Sequence, residues 1–361
     1  MAETVVVLGA GATKSCGGPL TNEILHDMLK DKSAPDTTEK LNKLEGFLTQ
    51  VFRLPTDANN QDFPGLPLFM SLLDTALERR QSFHKGWDVA QISEIRQAME
   101  LGIFELLERK LNQAQTTNHH SLLSRLYPPP VEPHVISLNY DLLIDTAMMF
   151  YSEQYDNHDG RLPNYCCDIQ TEFYKSEPRR FGTLLKLHGS LNWLHCKTCH
   201  RLEIGASESK RFLKVLNRLL GSGAQATLDT VYLSKGSPCQ ICSSEMRPLL
   251  VAPSHLKDYR NPHLMQIWYE AERILRQSKR VIFIGYSLPD DDLEVVYLFK
   301  RALAHLEPAQ ITVVEYALTN PPLNGHEVGR RYRALFGDVS WHPEGIDNWL
   351  LKEPQAVQAQ G

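Results

Sequence analysis

The chain has 361 residues, with 38 Lys plus Arg against 43 Asp plus Glu, giving a formal charge of −5. Hydrophobic residues make up 42 % and charged residues 22 %, which excludes collagen, wholesale disorder and a disulfide miniprotein. At roughly 100–200 residues per domain the length accommodates two or three units. The acidic balance offers no global attraction to nucleic acid, so no direct nucleic-acid binding is expected.

Thr4–Leu8 is β-branched and continuous, as a strand buried on both faces is. Gly9-Ala10-Gly11-Ala12-Thr13-Lys14 follows at once, and its glycines let the backbone turn sharply and approach a ligand. A helix is expected from Pro19 or Thr21 through Met28. Such a strand–turn–helix unit suits a phosphate, although Lys14 stands where a full G-x-G-x-x-G has its last glycine. A tight turn without a ligand is the bland alternative.

Helical spacing dominates from about Asp36 to Leu126, through Leu41, Leu44, Leu48 and Val51 and then Ile92, Ile95, Met99, Ile103 and Leu106. Tyr127-Pro128-Pro129-Pro130 ends it. Strands return at 134–138, before Asn139-Tyr140-Asp141, and at Thr183–Leu187, before His188-Gly189-Ser190. Helical spacing recurs over Ser207–Leu220. Pro248–Val251, a helix over Leu264–Gln277, a strand at Arg280–Ile284 before Gly285-Tyr286-Ser287, a helix from about Asp290, and a strand at 310–314 before Glu315 complete the chain.

This alternation predicts an α/β fold: a Rossmann-like, doubly wound, mostly parallel sheet with a helical insertion and a small zinc-binding module. Residues 1–32, 127–194 and 247–352 are expected to form the discontinuous nucleotide-binding domain. Residues 33–126 are the insertion, 195–246 the zinc-ribbon-like module and 353–361 a flexible tail. In such sheets ligands sit beyond the carboxyl ends of the strands. Asn139, Asp141, His188, Gly285, Ser287 and Glu315 all fall at such ends. Singly each has a bland reading: Asn139 and Asp141 as a turn and helix cap, His188 as a core histidine. Asp290-Asp291-Asp292 reads as favourable acids at a helix start.

Of seven cysteines, Cys196, Cys199, Cys239 and Cys242 form two C-x-x-C pairs. Two such knuckles suit tetrahedral zinc, and four thiolates close the site, so the metal is expected to be structural. His195 and His200 flank the first pair. Cys16, near a helix start, reads as a small buried residue or a thiol of lowered pKa. No uncharged apolar run approaches the roughly 18 residues of a membrane span. Glu3 stands where a signal peptide carries basic residues, so a cytoplasmic location is expected.

Taken in series, the motifs resemble the sirtuin family. Gly9-Ala10-Gly11-Ala12-Thr13 matches its opening Gly-Ala-Gly, and Ser15-Cys16-Gly17-Gly18-Pro19 stands at its Ser-Gly-Ile-Pro. Ser137–Asp141 is similar to its Thr-Gln-Asn-Ile-Asp, Leu187-His188-Gly189 to its His-Gly, and Gly285-Tyr286-Ser287-Leu288 to its Gly-Thr-Ser-Leu. Leu138 replaces the family's Gln. Leu250–His255 replaces a Phe-Gly-Glu segment beside the peptide-pairing backbone, with Pro253 lacking a donor. These departures resemble the bacterial sirtuin-like branch implicated in anti-phage defence.

The resemblance implies cleavage of NAD to nicotinamide and ADP-ribose. The Gly9–Thr13 turn would hold the pyrophosphate, Asp141 the nicotinamide carboxamide, and Asn139 water or a ribose hydroxyl. His188 would act as general base, Ser287 would contact phosphate or ribose, and Glu315 the adenosine ribose. It also implies a candidate partner such as a hexameric DNA-translocase-type ATPase. Because a resting cell would not survive an unregulated NAD hydrolase, low basal activity released by homo-oligomerisation or by such a partner is expected. An NAD-dependent protein deacylase and a non-catalytic subunit binding NAD or ADP-ribose are the alternatives.

Overall fold

The computed structural model describes residues 3–30, 38–111, 117–156, 161–176, 179–204 and 238–352. The helix expected over Ser207–Leu220 and the tail lie outside the described residues.

Six strands form one parallel sheet: β1 (Thr4–Leu8), β2 (His134–Ser137), β3 (Thr183–Lys186), and, numbering past the small module, β7 (Arg280–Ile284), β8 (Ile311–Val314) and β9 (Ser340–His342). Their order is β3-β2-β1-β7-β8-β9, the doubly wound order in which the chain works outward from β1 and then crosses over to β7. Val6 pairs with Val135 on one side and with Ile282 on the other. Val5 through Leu8 have no exposed surface. A strand buried on both faces needs cover on both, which is why these segments read as unbroken apolar runs.

The cover comes from α6 (Thr117–Leu126), α7 (Leu143–Asp156), α9 (Pro262–Gln277), α10 (Leu293–Ala302), α11 (Glu327–Phe336) and α12 (Gly345–Lys352), with a single turn α8 at Glu172–Lys175. The three-residue β9 is only half-buried and gives no run to read.

A second core forms where α2 (Ile24–Lys30), α3 (Thr38–Val51), α4 (Leu66–Arg79) and α5 (Val89–Leu111) meet. Leu44, Phe47, Leu48, Ile92, Ile95 and Met99 are fully buried there, at the helical spacing seen in the sequence. This core includes Leu191, Leu194, Cys196, Cys239 and Met246 of the cysteine module, so insertion and module share an interior. The cores divide the chain differently from the expected 33–126 span. Leu122 and Leu123 of α6 pack into the main sheet's core, whereas α2 joins the insertion.

The module itself is antiparallel: β4 (Gly189–Cys196) lies between β5 (Leu202–Ile204) and β6 (Met246–Leu250). Near the N-terminus a one-turn helix, α1 (Gly11–Lys14), directly follows the glycine turn. The helix expected at Pro19 or Thr21 is α2, starting at Ile24.

Candidate active site

A cavity of about 460 Å³ opens at the carboxyl ends of the strands, where the order reverses between β1 and β7. Gly9, Ala10, Gly11, Thr13, Asn139, Asp141, His188, Gly285, Ser287 and Glu315 all line it. Ala12 does not; it is fully buried in the main core.

The glycines have a packing reason of their own. A Cβ on Gly9 would lie 2.5 Å from the Gly285 carbonyl oxygen, and one on Gly285 2.2 Å from the Ala12 nitrogen. Gly285 also has φ +61°. The loops after β1 and β7 therefore interlock backbone to backbone. The amides of Gly11, Ala12 and Thr13 donate to Gly285, Gly9 and Ala10, so much of the expected amide cradle already serves the fold. Lys14, at the position of the missing glycine, pairs with Glu23 at 2.6 Å. Burial pushes the Cys16 thiol up, so it is not the thiol of lowered pKa that a helix-start position allows.

Asn139 ties two strand ends together: its side-chain nitrogen donates to the Gly9 carbonyl at 2.9 Å. Asp141 is buried and accepts from the Leu143 amide at 2.9 Å, so it caps α7 while lining the cavity. Burial raises its carboxyl, with Lys186 opposing. Glu315, partly buried at the end of β8, is likewise raised by burial, with the Tyr316 amide opposing. Lys186 escaped the sequence reading because a lysine inside a strand gives no motif. It is fully buried at the end of β3, 3.0 Å from Asp145 Oδ2, and donates to the Asp141 carbonyl.

His188 is buried against Tyr140 and Tyr259, whose ring centroids lie 6.3 and 6.1 Å from its own. Its Nδ1 lies 3.1 Å from the Leu138 carbonyl, which can only accept, so Nδ1 carries the ring proton. Nε2 is buried and has no hydrogen-bond partner among the described residues. Burial lowers the His188 pKa, with Asp292 opposing and Lys257 assisting.

Asp291 and Asp292 also line the cavity, as does Lys257. The helix expected from Asp290 starts only at Leu293, and Asp292 at its N-cap makes no side-chain cap. Asp291 and Asp292 instead hold Lys257, whose ammonium lies 2.6 Å from a carboxylate oxygen of each. Lys257 gives no signal in the sequence. The segment after β6 is occupied: the Val251 amide donates to the His188 carbonyl, and the Val251 carbonyl accepts from Tyr140.

Away from the cavity, the ligand atoms of Cys196, Cys199, Cys239 and Cys242 lie within 4.8 Å of one another. Cys196 and Cys242 sulfurs are 3.4 Å apart, and those of Cys199 and Cys239 are 3.5 Å apart. Four thiolates at about 2.3 Å from a tetrahedral zinc stand about 3.8 Å apart, so the set fits that ion. The two knuckles share one backbone geometry. His200 and Ser243, each just after its second cysteine, have φ +59°, and their amides donate to the Cys196 and Cys239 carbonyls at 2.9 Å.

The fold and its crevice define a Rossmann-like α/β protein with a four-cysteine centre. No family model and no curated protein matches the chain. Among solved structures it is similar to sirtuins. One, solved for the structural basis of sirtuin substrate affinity, is 14 % identical, with 97 % of this chain and 91 % of that chain covered and a TM-score of 0.42. A Sir2–p53 peptide–NAD⁺ structure is 15 % identical, with the same coverage and a TM-score of 0.42. A Sir2 homologue–NAD complex is 14 % identical, covering 97 % and 88 %, at 0.40. At these distances the architecture is defined by its own strand order and register. Among the described residues no helix is long and apolar enough to cross a membrane.

Proposed function

We propose that the chain is a sirtuin-like NAD hydrolase that releases nicotinamide and leaves ADP-ribose. The reading is carried by one observation: Asn139 and His188, distant in sequence, line one cavity beside the glycine turn, and His188 keeps an Nε2 that no hydrogen bond among the described residues occupies.

The nicotinamide–ribose bond joins a positively charged leaving group to an anomeric carbon. Its cleavage is oxocarbenium-like, so the protein must chiefly orient the sugar and place a nucleophile. The C–N bond breaks with its electron pair passing to the pyridine nitrogen. Water forms the new C–O bond, and its proton passes to His188 Nε2. A buried imidazole of lowered pKa is neutral at pH 7, the form a general base requires. In this reading the close backbone approach at Gly9–Gly11 receives the pyrophosphate and Asp141 meets the carboxamide. Asn139 orients water or a ribose hydroxyl, Ser287 contacts phosphate or ribose, and Glu315 accepts from the adenosine ribose. Zinc on the four cysteines would brace the module and take no part in the reaction.

Deacylation needs peptide pairing beside the same cavity. The paired amide and carbonyl of Val251 and the missing donor of Pro253 favour hydrolysis over it. The resemblance extends the proposal to NAD depletion in anti-phage defence, controlled by self-association or by a DNA-translocase-type ATPase.

Chromatography after incubation with NAD, with and without acyl-peptide, decides between the two reactions. A hydrolase yields nicotinamide and ADP-ribose without peptide. Folded His188→Ala should lose about 10²–10⁴-fold in turnover; undiminished turnover refutes the mechanism.

A further inference from the structure

Lys257 and Asp292 have no role in the mechanism so far, yet they form the wall of the cavity beside His188. Asp292 Oδ1 lies 3.7 Å from His188 Nε2 and 2.6 Å from the Lys257 ammonium, and Asp292 Oδ2 accepts from the Tyr286 hydroxyl at 3.1 Å. Lys257 is completed by Asp291, through Oδ2 at 2.6 Å and through its carbonyl. Their side chains are 2 % (Lys257), 10 % (Asp291) and 7 % (Asp292) exposed.

Two features show that this cluster does more than close a loop. Asp292 holds the N-cap position of α10, where an aspartate ordinarily bonds the first-turn amides, and it makes no such bond. Its carboxylate is turned toward His188 instead. The His188 side chain is 7 % exposed, and its buried Nε2, without a hydrogen bond among the described residues, lies 3.7 Å from that carboxylate.

We propose that Asp292, clamped by Lys257, is the positioning residue of the His188 base: it holds the ring and stabilises the imidazolium formed when Nε2 takes the proton of the attacking water. This rests on the reading of His188 as general base. In the resting enzyme Nε2 carries no proton, and 3.7 Å is beyond a hydrogen bond. Once Nε2 is protonated, the same approach becomes a charge-assisted contact. The lysine sets its strength, because its ammonium draws on the same carboxylate and opposes a second positive charge nearby. The groups facing His188 are Asp291 and Asp292 before α10, Lys257 after β6, and the neutral rings of Tyr140 and Tyr259. Two carboxylates against one ammonium also leave an excess negative charge beside the site where the sugar develops positive charge.

The test pairs two neutralising substitutions with opposite expected signs. NMR titration of the His188 imidazole reads the coupling directly, and the pH dependence of nicotinamide release reads it in turnover. Asp292→Asn should move the titration and the acid limb of kcat down by roughly 1 unit. It should also lower kcat about tenfold or more, with a smaller change in KM for NAD. Lys257→Met should move both upward. A purely structural role would shift neither, or would shift both variants alike, and either result overturns the proposal. If Asp292→Asn does not fold, Lys257→Met and the charge-retaining Asp292→Glu decide: the first must titrate above wild type and the second close to it. If the wild-type protein releases no nicotinamide, the hydrolase reading fails, while the NMR titration still settles the His188–Asp292 coupling.

Discussion

Replacing Lys186 by Met tests what holds the Asn139–Asp141 loop. Lys186 and Asp145 are both fully buried, 3.0 Å apart, and Tyr165 donates to the other Asp145 oxygen at 2.6 Å. The ammonium also donates to the Asp141 carbonyl, so one buried cation fastens the end of β2 to the end of β3. Methionine matches the length of the stem and removes only the charge and the donors. It leaves the Asp145 carboxylate without a counter-charge in a dry interior, at a cost of about 3–5 kcal/mol. At roughly 2–4 °C per kcal/mol for a mid-sized protein, the unfolding midpoint should fall by about 6–20 °C. Adding Asp145→Asn removes the orphaned charge, lets Tyr165 keep an acceptor, and should recover at least half of the loss. Circular dichroism melts and urea titrations of both singles and the double give the coupling energy. A Lys186→Met protein within about 1 kcal/mol of wild type, or a double mutant no more stable than the single, refutes this account of the loop.

Acid sensitivity has an identifiable source in His119, almost fully buried in α6, with burial lowering its pKa to about 4. Its folded pKa lies below the unfolded value of about 6.5, so its contribution is complete above pH 6.5 and is lost as pH falls toward 4. That loss is on the order of 3 kcal/mol, and urea midpoints of His119→Leu should fall less over the same window. Metal analysis should find about one zinc per chain. A strong chelator or Cys242→Ser should lower the melting midpoint and speed hydrogen exchange in α3–α5, because Cys196 and Cys239 sit in the insertion's core. Gly285→Ala places a Cβ 2.2 Å from the Ala12 nitrogen at φ +61° and should abolish NAD binding in calorimetry. Unchanged affinity would mean the two loops are not interlocked in solution.

The sheet was legible because buried parallel strands carry an unmistakable pattern. Thr4–Leu8 and Arg280–Ile284 each start one residue before an apolar run and end where it ends. Short, half-buried β9 has no such run, and α7 gave no capping motif of the usual spacing, only Asp141 two residues before Leu143. The division into units was less readable. Apolar spacing shows that a helix such as α6 has a buried face, but not whether that face meets the sheet or the insertion. Among site residues, those in motifs beside strand ends could be named in advance. Lys186 and Lys257 could not, since a lone lysine reads as solvated surface until a fold buries it beside carboxylates.

Asp141 and Asp292 make the same point about function. Each is an aspartate just before a helix, each is buried, and each lines the cavity. In sequence both are helix-start acids. The structure separates them by where the carboxylate goes: Asp141 spends an oxygen on the Leu143 amide, while Asp292 leaves the α10 cap unmade and faces Lys257, Tyr286 and His188. A cap is worth about 1 kcal/mol, and a protein that forgoes it while burying the charge has directed that carboxylate to other groups. The two aspartates should therefore respond differently to neutralisation. Asp141→Asn keeps an oxygen for the cap, and under the proposed function, in which Asp141 meets the nicotinamide carboxamide, its effect should fall on KM for NAD. Asp292→Asn keeps its contact with Tyr286 and loses the charge facing the imidazole, so its effect should fall on kcat and its pH dependence.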